Sequence, residues 1–177
     1  SVVARLGLAA DMAARHAKQT KESARNKKSK NILPENHDFP ATSRDYYDDT
    51  SRIEFSAQVL SCFELTGEII SSLNLSREVA STPTHAVVLD KTLFYPEGGG
   101  QLGDFGTLTN GKMVNVLDSR TEGEVVLHLT DGGLSRGPVN GKLDSARRTQ
   151  LMNHHTSVHI VGGSARTILG PHIWQAG

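Results

Sequence analysis

The sequence predicts an α+β fold, and three observations point to it. Apolar residues recur with a helical period near the start, short strand-like stretches separated by turn signals fill the middle, and the helical period returns after Asp144. Glycine marks the same change, because fifteen of the seventeen glycines fall at or after Gly98, where turns and close backbone approaches concentrate. A chain of 177 residues can bury a core, and 37% apolar with 21% charged residues excludes wholesale disorder, collagen-like repeats and a coiled-coil rod.

Taken in order, the first element is a helix from Val2 to about Arg25, whose stripe of Val3, Leu6, Ala10, Ala13 and Ala17 is thin and alanine-rich. Its apolar opening is interrupted by Asp11 and Arg15 and has no initiator Met, so it reads as a cut helix rather than a signal sequence. The run Asn26-Lys27-Lys28-Ser29-Lys30 follows, and Pro34 and Pro40 prolong it as a linker. A solvated surface segment and a nucleic-acid contact both remain open for these lysines. Strands are expected over Ile53 to Phe63, Ala86 to Tyr95, Met113 to Leu117, Glu124 to Leu129 and Val139 to Leu143, with turn signals at Pro83, Asn110-Gly111, Asp131-Gly132-Gly133 and Asn140-Gly141. Strands so spaced suit a small β-barrel or a strongly twisted sheet. From a cap at Asp144-Ser145, the positions Leu151, Val158, Gly162, Ala165 and Leu169 trace a second helix that ends at Gly170-Pro171. The expected organisation is a helical segment with a basic linker over 1–44, a β-rich unit over 45–144 and a helical unit beginning at 145–177.

Nineteen basic and nineteen acidic residues cancel, so the global charge makes no case for a histone-like or membrane-surface protein. Locally the balance differs: residues 1–30 hold eight Lys/Arg against two acids, residues 31–100 four against eleven, and residues 101–177 seven against six. No apolar run reaches the 18 or so residues that a spanning helix needs, and Cys62 is the one cysteine, so a cytoplasmic protein with no membrane partner is expected.

Two constellations can carry chemistry. His155 and His159 stand four apart on the second helix, about 40° around its axis, so both imidazoles can reach one metal ion, and zinc suits such a pair. Two helix histidines bonded to backbone or solvent are the plainer alternative. Cys62 sits in a strand, where a buried core thiol is the expected role. The second constellation is Phe94-Tyr95-Pro96-Glu97-Gly98-Gly99-Gly100-Gln101-Leu102-Gly103-Asp104, in which Gly98, Gly99 and Gly100 clear side chains from the backbone and Gln101 places an amide beside the opening. It lacks the Lys-Ser/Thr ending of a P-loop and the spacing of a dinucleotide fingerprint. Asp104 reads as a turn former beside this loop.

The run Thr92 to Asp104 closely resembles the signature of alanyl-tRNA synthetase editing domains and their free-standing relatives. His155-Thr156-Ser157-Val158-His159 resembles the first half of that family's zinc motif, and Leu169 to Gly177 is similar to the segment after it. Met12 to Ala17 and Asp45-Tyr46-Tyr47-Asp48 are similar to archaeal-type alanyl-tRNA synthetases. The resemblance implies hydrolysis of Ser-tRNA(Ala) and Gly-tRNA(Ala), with Gln101 and Thr156 as catalytic or recognition residues, Gly98 to Gly100 against the 3′ end of tRNA(Ala), and zinc on His155 and His159. It also implies a second ligand pair, Cys-x-x-x-His, beyond Gly177. Sites for ATP, Mg and alanine would lie outside this sequence, since no class II synthetase motif for them is present. A free-standing trans-editing deacylase and a non-catalytic tRNA-binding relic are the other readings that the same residues allow; the intact histidine pair favours an enzyme. More than ninety residues precede the glycine loop, which favours a synthetase fragment over a free-standing form.

Overall fold

The structure, a computed structural model, describes residues 31–34, 37–47, 49–73, 75, 79, 81–98, 101–170, 172 and 173. The helix expected over Val2 to Arg25, the lysine run and Gly99-Gly100 lie outside the described residues. In chain order the elements are β1 (Ser43–Arg44), a 3₁₀ turn (Asp45–Tyr47), β2 (Glu54–Glu64), α1 (Gly67–Ser72), β3 (His85–Leu89), β4 (Lys91–Thr92), β5 (Gly106–Asn110), β6 (Lys112–Glu122), β7 (Val125–Thr130), β8 (Gly137–Leu143) and α2 (Ser145–Leu169).

β2 shows why a barrel forms: Phe55, Ala57 and Val59 are buried on one face while Glu54, Ser56 and Gln58 are exposed on the other. Six strands close in the order β2-β3-β7-β6-β5-β8, each pairing antiparallel, with β8 returning to β2. Closure leaves these strands no free edge. The interior is filled by a cluster that includes Phe55, Val87, Leu89, Phe94, Leu108, Val116, Val139 and Leu143. A second cluster covers the outer face of β3 and β7, where Ala86, Val88, Leu127 and Leu129 meet Ile32, Leu33, Leu65 and Leu73. All six residues of β7 are buried for that reason, one face lining the barrel and the other lying under this cover. The Glu122 carboxylate holds the covering segment by accepting from the Ile32 and Leu33 amides at 2.7 and 2.9 Å.

The α+β reading and the barrel stand, with local corrections. Asn140-Gly141 is no turn but the middle of β8, with Gly141 opposite Phe55 on one side and Leu108 on the other. A Cβ there would run into the Phe55 ring, so the glycine makes room for packing. The strand expected over Ala86 to Tyr95 stops at Leu89, because the Asp90 carboxylate accepts from the Gln58 and Lys91 amides at 2.7 and 2.9 Å and turns the chain. β5 and α1 escaped the sequence reading; α1 is a short helix capped by the Thr66 hydroxyl, which accepts from the Ile69 amide. Asn110-Gly111 does turn, with Gly111 at φ 71°, and Asp144 does cap α2 by accepting from the Arg147 amide at 3.0 Å. Cys62 is half-buried against the barrel interior and its sulfur accepts from the Leu134 amide at 3.4 Å.

Candidate functional site

The glycine loop leaves β4 and returns to β5 as a narrow hairpin. Gly98 and Gln101 bond each other in both directions, amide to carbonyl, at 3.0 and 2.9 Å. Two walls hold its base. On one side the Glu97 amide donates to the Ser119 carbonyl at 2.7 Å, and Arg120 reaches Glu97 at 3.6 Å and Asp118 at 2.9 Å. Gly103 lies so close to β6 that a Cβ would stand 2.6 Å from Asp118 Oδ1 and 2.8 Å from the Ser119 carbonyl.

The other wall is the first turn of α2. Asp104, read from sequence as a turn former, is instead a buried ion-pair partner: it is 1% exposed and Arg148 is 7% exposed. Arg148 Nε donates to both Asp104 carboxylate oxygens at 3.0 Å, and Nη2 donates to the same carboxylate and to the Leu93 carbonyl, the latter at 2.7 Å. Asp104 also accepts from the Tyr95 amide at 2.7 Å, while its own amide donates to the Tyr95 carbonyl. Sequence reasoning missed this pair because its members are 44 residues apart. A signal existed, since Arg148 lies seven and eleven residues before His155 and His159, within about 20° of each around the helix.

Beneath the loop, Thr92 Oγ1 accepts from the Phe94 amide at 3.0 Å and stands 2.8 Å from His128 Nε2. His128 Nδ1 lies 3.1 Å from the Val87 carbonyl, which can only accept, so Nδ1 carries the proton and Nε2 accepts from Thr92. Burial pushes this imidazole down to about 4 against the weaker opposing pull of that carbonyl.

α2 places His155 and His159 two and three turns beyond Arg148, both exposed. Their Nε2 atoms are 3.0 Å apart and the rings meet edge to face with centroids at 4.5 Å. Zinc bonds of about 2.0 to 2.1 Å place two nitrogens of a tetrahedral site about 3.3 Å apart, so the pair fits two vertices of such a site. Among the described residues no group of three His, Cys, Asp or Glu could complete it. Thr156 is exposed and makes no hydrogen bond among the described residues, whereas Thr149, Ser157 and Thr167 each bond the carbonyl four residues back. An open groove of about 660 Å³ runs along the helix beside His159, between Val158, Val161 and Ile173. Of the apolar stripe expected on this helix, Leu151, Gly162 and Ala165 are half-buried, whereas Val158 and Leu169 are exposed, as are Ile160, Val161 and Ile168. No helix among the described residues is long and apolar enough to cross a membrane.

The family described as tRNA synthetases class II (A) matches residues 1–146, and the chain belongs to it. Within that family the chain is similar to the alanine–tRNA ligase of Halorubrum lacusprofundi, 44% identical over 142 residues that cover 79% of this chain and 14% of that protein. The alanine–tRNA ligases of Natronomonas pharaonis and Methanobrevibacter smithii are 42% and 39% identical, again over 79% of this chain and 14% of each relative. The chain thus spans about a seventh of the length of the curated relatives it matches. The family match ends in the first turn of α2, before His155 and His159.

Proposed function

We propose that this chain is part of an alanine–tRNA ligase and removes serine or glycine wrongly attached to tRNA(Ala). The observation that carries the reading is the Gly98–Gln101 hairpin, held rigid at its base from β6 and α2 and offering backbone with few side chains to a ligand. The physical need is plain. A pocket for alanine discriminates poorly against a smaller residue or one with an added hydroxyl, because one methylene is worth about 1 to 3 kcal/mol, so fidelity calls for a second, hydrolytic site.

Ester hydrolysis requires a held 3′ terminus, a positioned water and donors for the developing oxyanion. Gly98, Gly99 and Gly100 let the terminal nucleotide approach the backbone, and Gln101 offers an amide that can hydrogen-bond the ester or the attacking water. The Thr156 hydroxyl is available to recognise a serine side chain. His155 and His159 would hold zinc at two of its vertices, with the remaining ligands supplied from beyond the described residues; when bound, the ion supplies Lewis acidity and an anchor for phosphate or carbonyl oxygen. ATP, Mg and alanine belong to the aminoacylation site of the same enzyme, outside this chain, and cytoplasmic localisation follows from that role.

In the complete gene product, Gln101→Ala is expected to slow Ser-tRNA(Ala) hydrolysis by about 10² to 10³ without unfolding the protein, as loss of one preorganised donor does. Alanine attachment stays nearly unchanged, while His155→Ala lowers both zinc content and hydrolysis. A Gln101→Ala protein that clears Ser-tRNA(Ala) at the wild-type rate would make Gln101 a turn residue and remove the loop's amide from the chemistry.

A further inference from the structure

We propose that Asp104 and Arg148 are positioning residues that set the histidine helix against the glycine loop, an inference that rests on the hydrolytic reading above. Among the described residues the pair makes no hydrogen bond with Gly98, Gln101 or the histidine rings. Its bonds nevertheless determine where both go. One Asp104 carboxylate ties the Tyr95 amide, on the way into the hairpin, to the Arg148 guanidinium in the first turn of α2, and the same guanidinium ties the Leu93 carbonyl. The Asp104 amide closes the exit of the hairpin on the Tyr95 carbonyl at 3.0 Å. Entry, exit and helix therefore meet at one buried ion pair.

Helix geometry makes this joint a lever. His155 and His159 lie seven and eleven residues after Arg148, about −20° and +20° around the axis and about 10 and 16 Å along it. The face that Arg148 presents to Asp104 is thus the face that carries both imidazoles. The planar fork fixes rotation as well as distance, because Nε and Nη2 bind one carboxylate while Nη2 also binds a backbone carbonyl. Since the helix is exposed from Met152 through Val161, little else among the described residues restrains its far end. A tilt of about 10° at Arg148 moves His159 by about 3 Å, and a misplacement of about 1 Å can cost about 10²-fold in rate.

The test separates position from stability. Arg148→Lys keeps the charge and loses the fork. Asp104→Asn/Arg148→Met removes both charges and leaves the Tyr95 amide an acceptor, so it folds even if the lysine variant does not. Leu65→Ala, in the outer cluster, serves as a destabilised control. Spin labels carried on a genetically encoded non-natural amino acid in place of Met113 on β6 and Ile168 on α2, both exposed positions, leave every cysteine unmodified and report the barrel-to-helix distance. In the complete gene product, kcat for Ser-tRNA(Ala) hydrolysis is expected to fall about 10- to 100-fold in the brace variants with KM unchanged, and the label distances to broaden. Leu65→Ala should lower Tm and alter neither. Unchanged label distances in the brace variants overturn the proposal, as does an unchanged kcat in a protein whose label distances broaden. If the wild-type protein shows no hydrolysis at all while the distances broaden as expected, the positioning role stands and the hydrolytic reading falls.

Discussion

Replacing His128 by glutamine is expected to remove a pH dependence that the barrel interior imposes. The wild-type imidazole is fully buried, neutral, and satisfied by the Val87 carbonyl and the Thr92 hydroxyl, with the Phe94 ring edge-on at 5.4 Å. In the unfolded chain it takes up a proton near 6.5, and in the folded chain only at about 4, so between those values the unfolded state holds more protons. The stabilisation is therefore complete above pH 6.5 and is lost as the pH falls toward 4. At about 1.4 kcal/mol per pH unit the whole interval is worth about 3 kcal/mol, of which about 2 kcal/mol lies between pH 7 and 5. Urea unfolding at pH 7, 6 and 5 measures it, since every other group titrates alike in wild type and His128→Gln. The wild-type midpoint should fall by about 1 M urea more than the variant's over that range. Parallel pH dependences, or an NMR titration of His128 in the folded chain near 6.5, would refute the reasoning.

Gly106→Ala should lower Tm by several degrees, because its Cβ would meet the Lys142 carbonyl oxygen and lie 2.9 Å from Leu143 Cα and from the Phe94 ring; backbone cannot yield there, and overpacking typically costs about 1 to 3 kcal/mol. A thermal melt equal to wild type would show that β5 and β8 can part without cost. Neutralising Lys27, Lys28 and Lys30 should weaken tRNA binding and reduce the salt slope by about 2 to 3 if that run contacts phosphate, with hydrolysis of already bound tRNA barely changed. Unaltered affinity and salt dependence would return the run to a plain solvated linker.

What could be read from the residues in order was local. The alternation in β2, the turn at Asn110-Gly111 and the cap at Asp144 depend on neighbours within a few positions, and each stands in the structure. The convergence of His155 and His159 depends only on the helical period, and their Nε2 atoms do meet at 3.0 Å. The glycine run announced a tight backbone loop by composition alone, and Gly98 and Gln101 close it.

Tertiary structure decided the rest, for the physical reason that side chains far apart in the chain settle what a local signal means. Asn140-Gly141 has the composition of a turn, yet Phe55 from β2 takes the space above Gly141 and the pair stays in β8. Asp104 beside a glycine loop suggests a turn, but Arg148 supplies a counter-charge from another element and makes burial tolerable. His128 carries no mark in a strand of apolar residues, and only the pairing of β7 with β3, which sets Val87 opposite it, and the packing of β4, which brings Thr92 to its Nε2, make it neutral and silent at pH 7. Local sequence determined the alternation of β2, the start of α2 and which residues share its face, whereas the packing of segments distant in sequence determined which polar groups are buried together, because that depends on partners the chain meets only once it has folded.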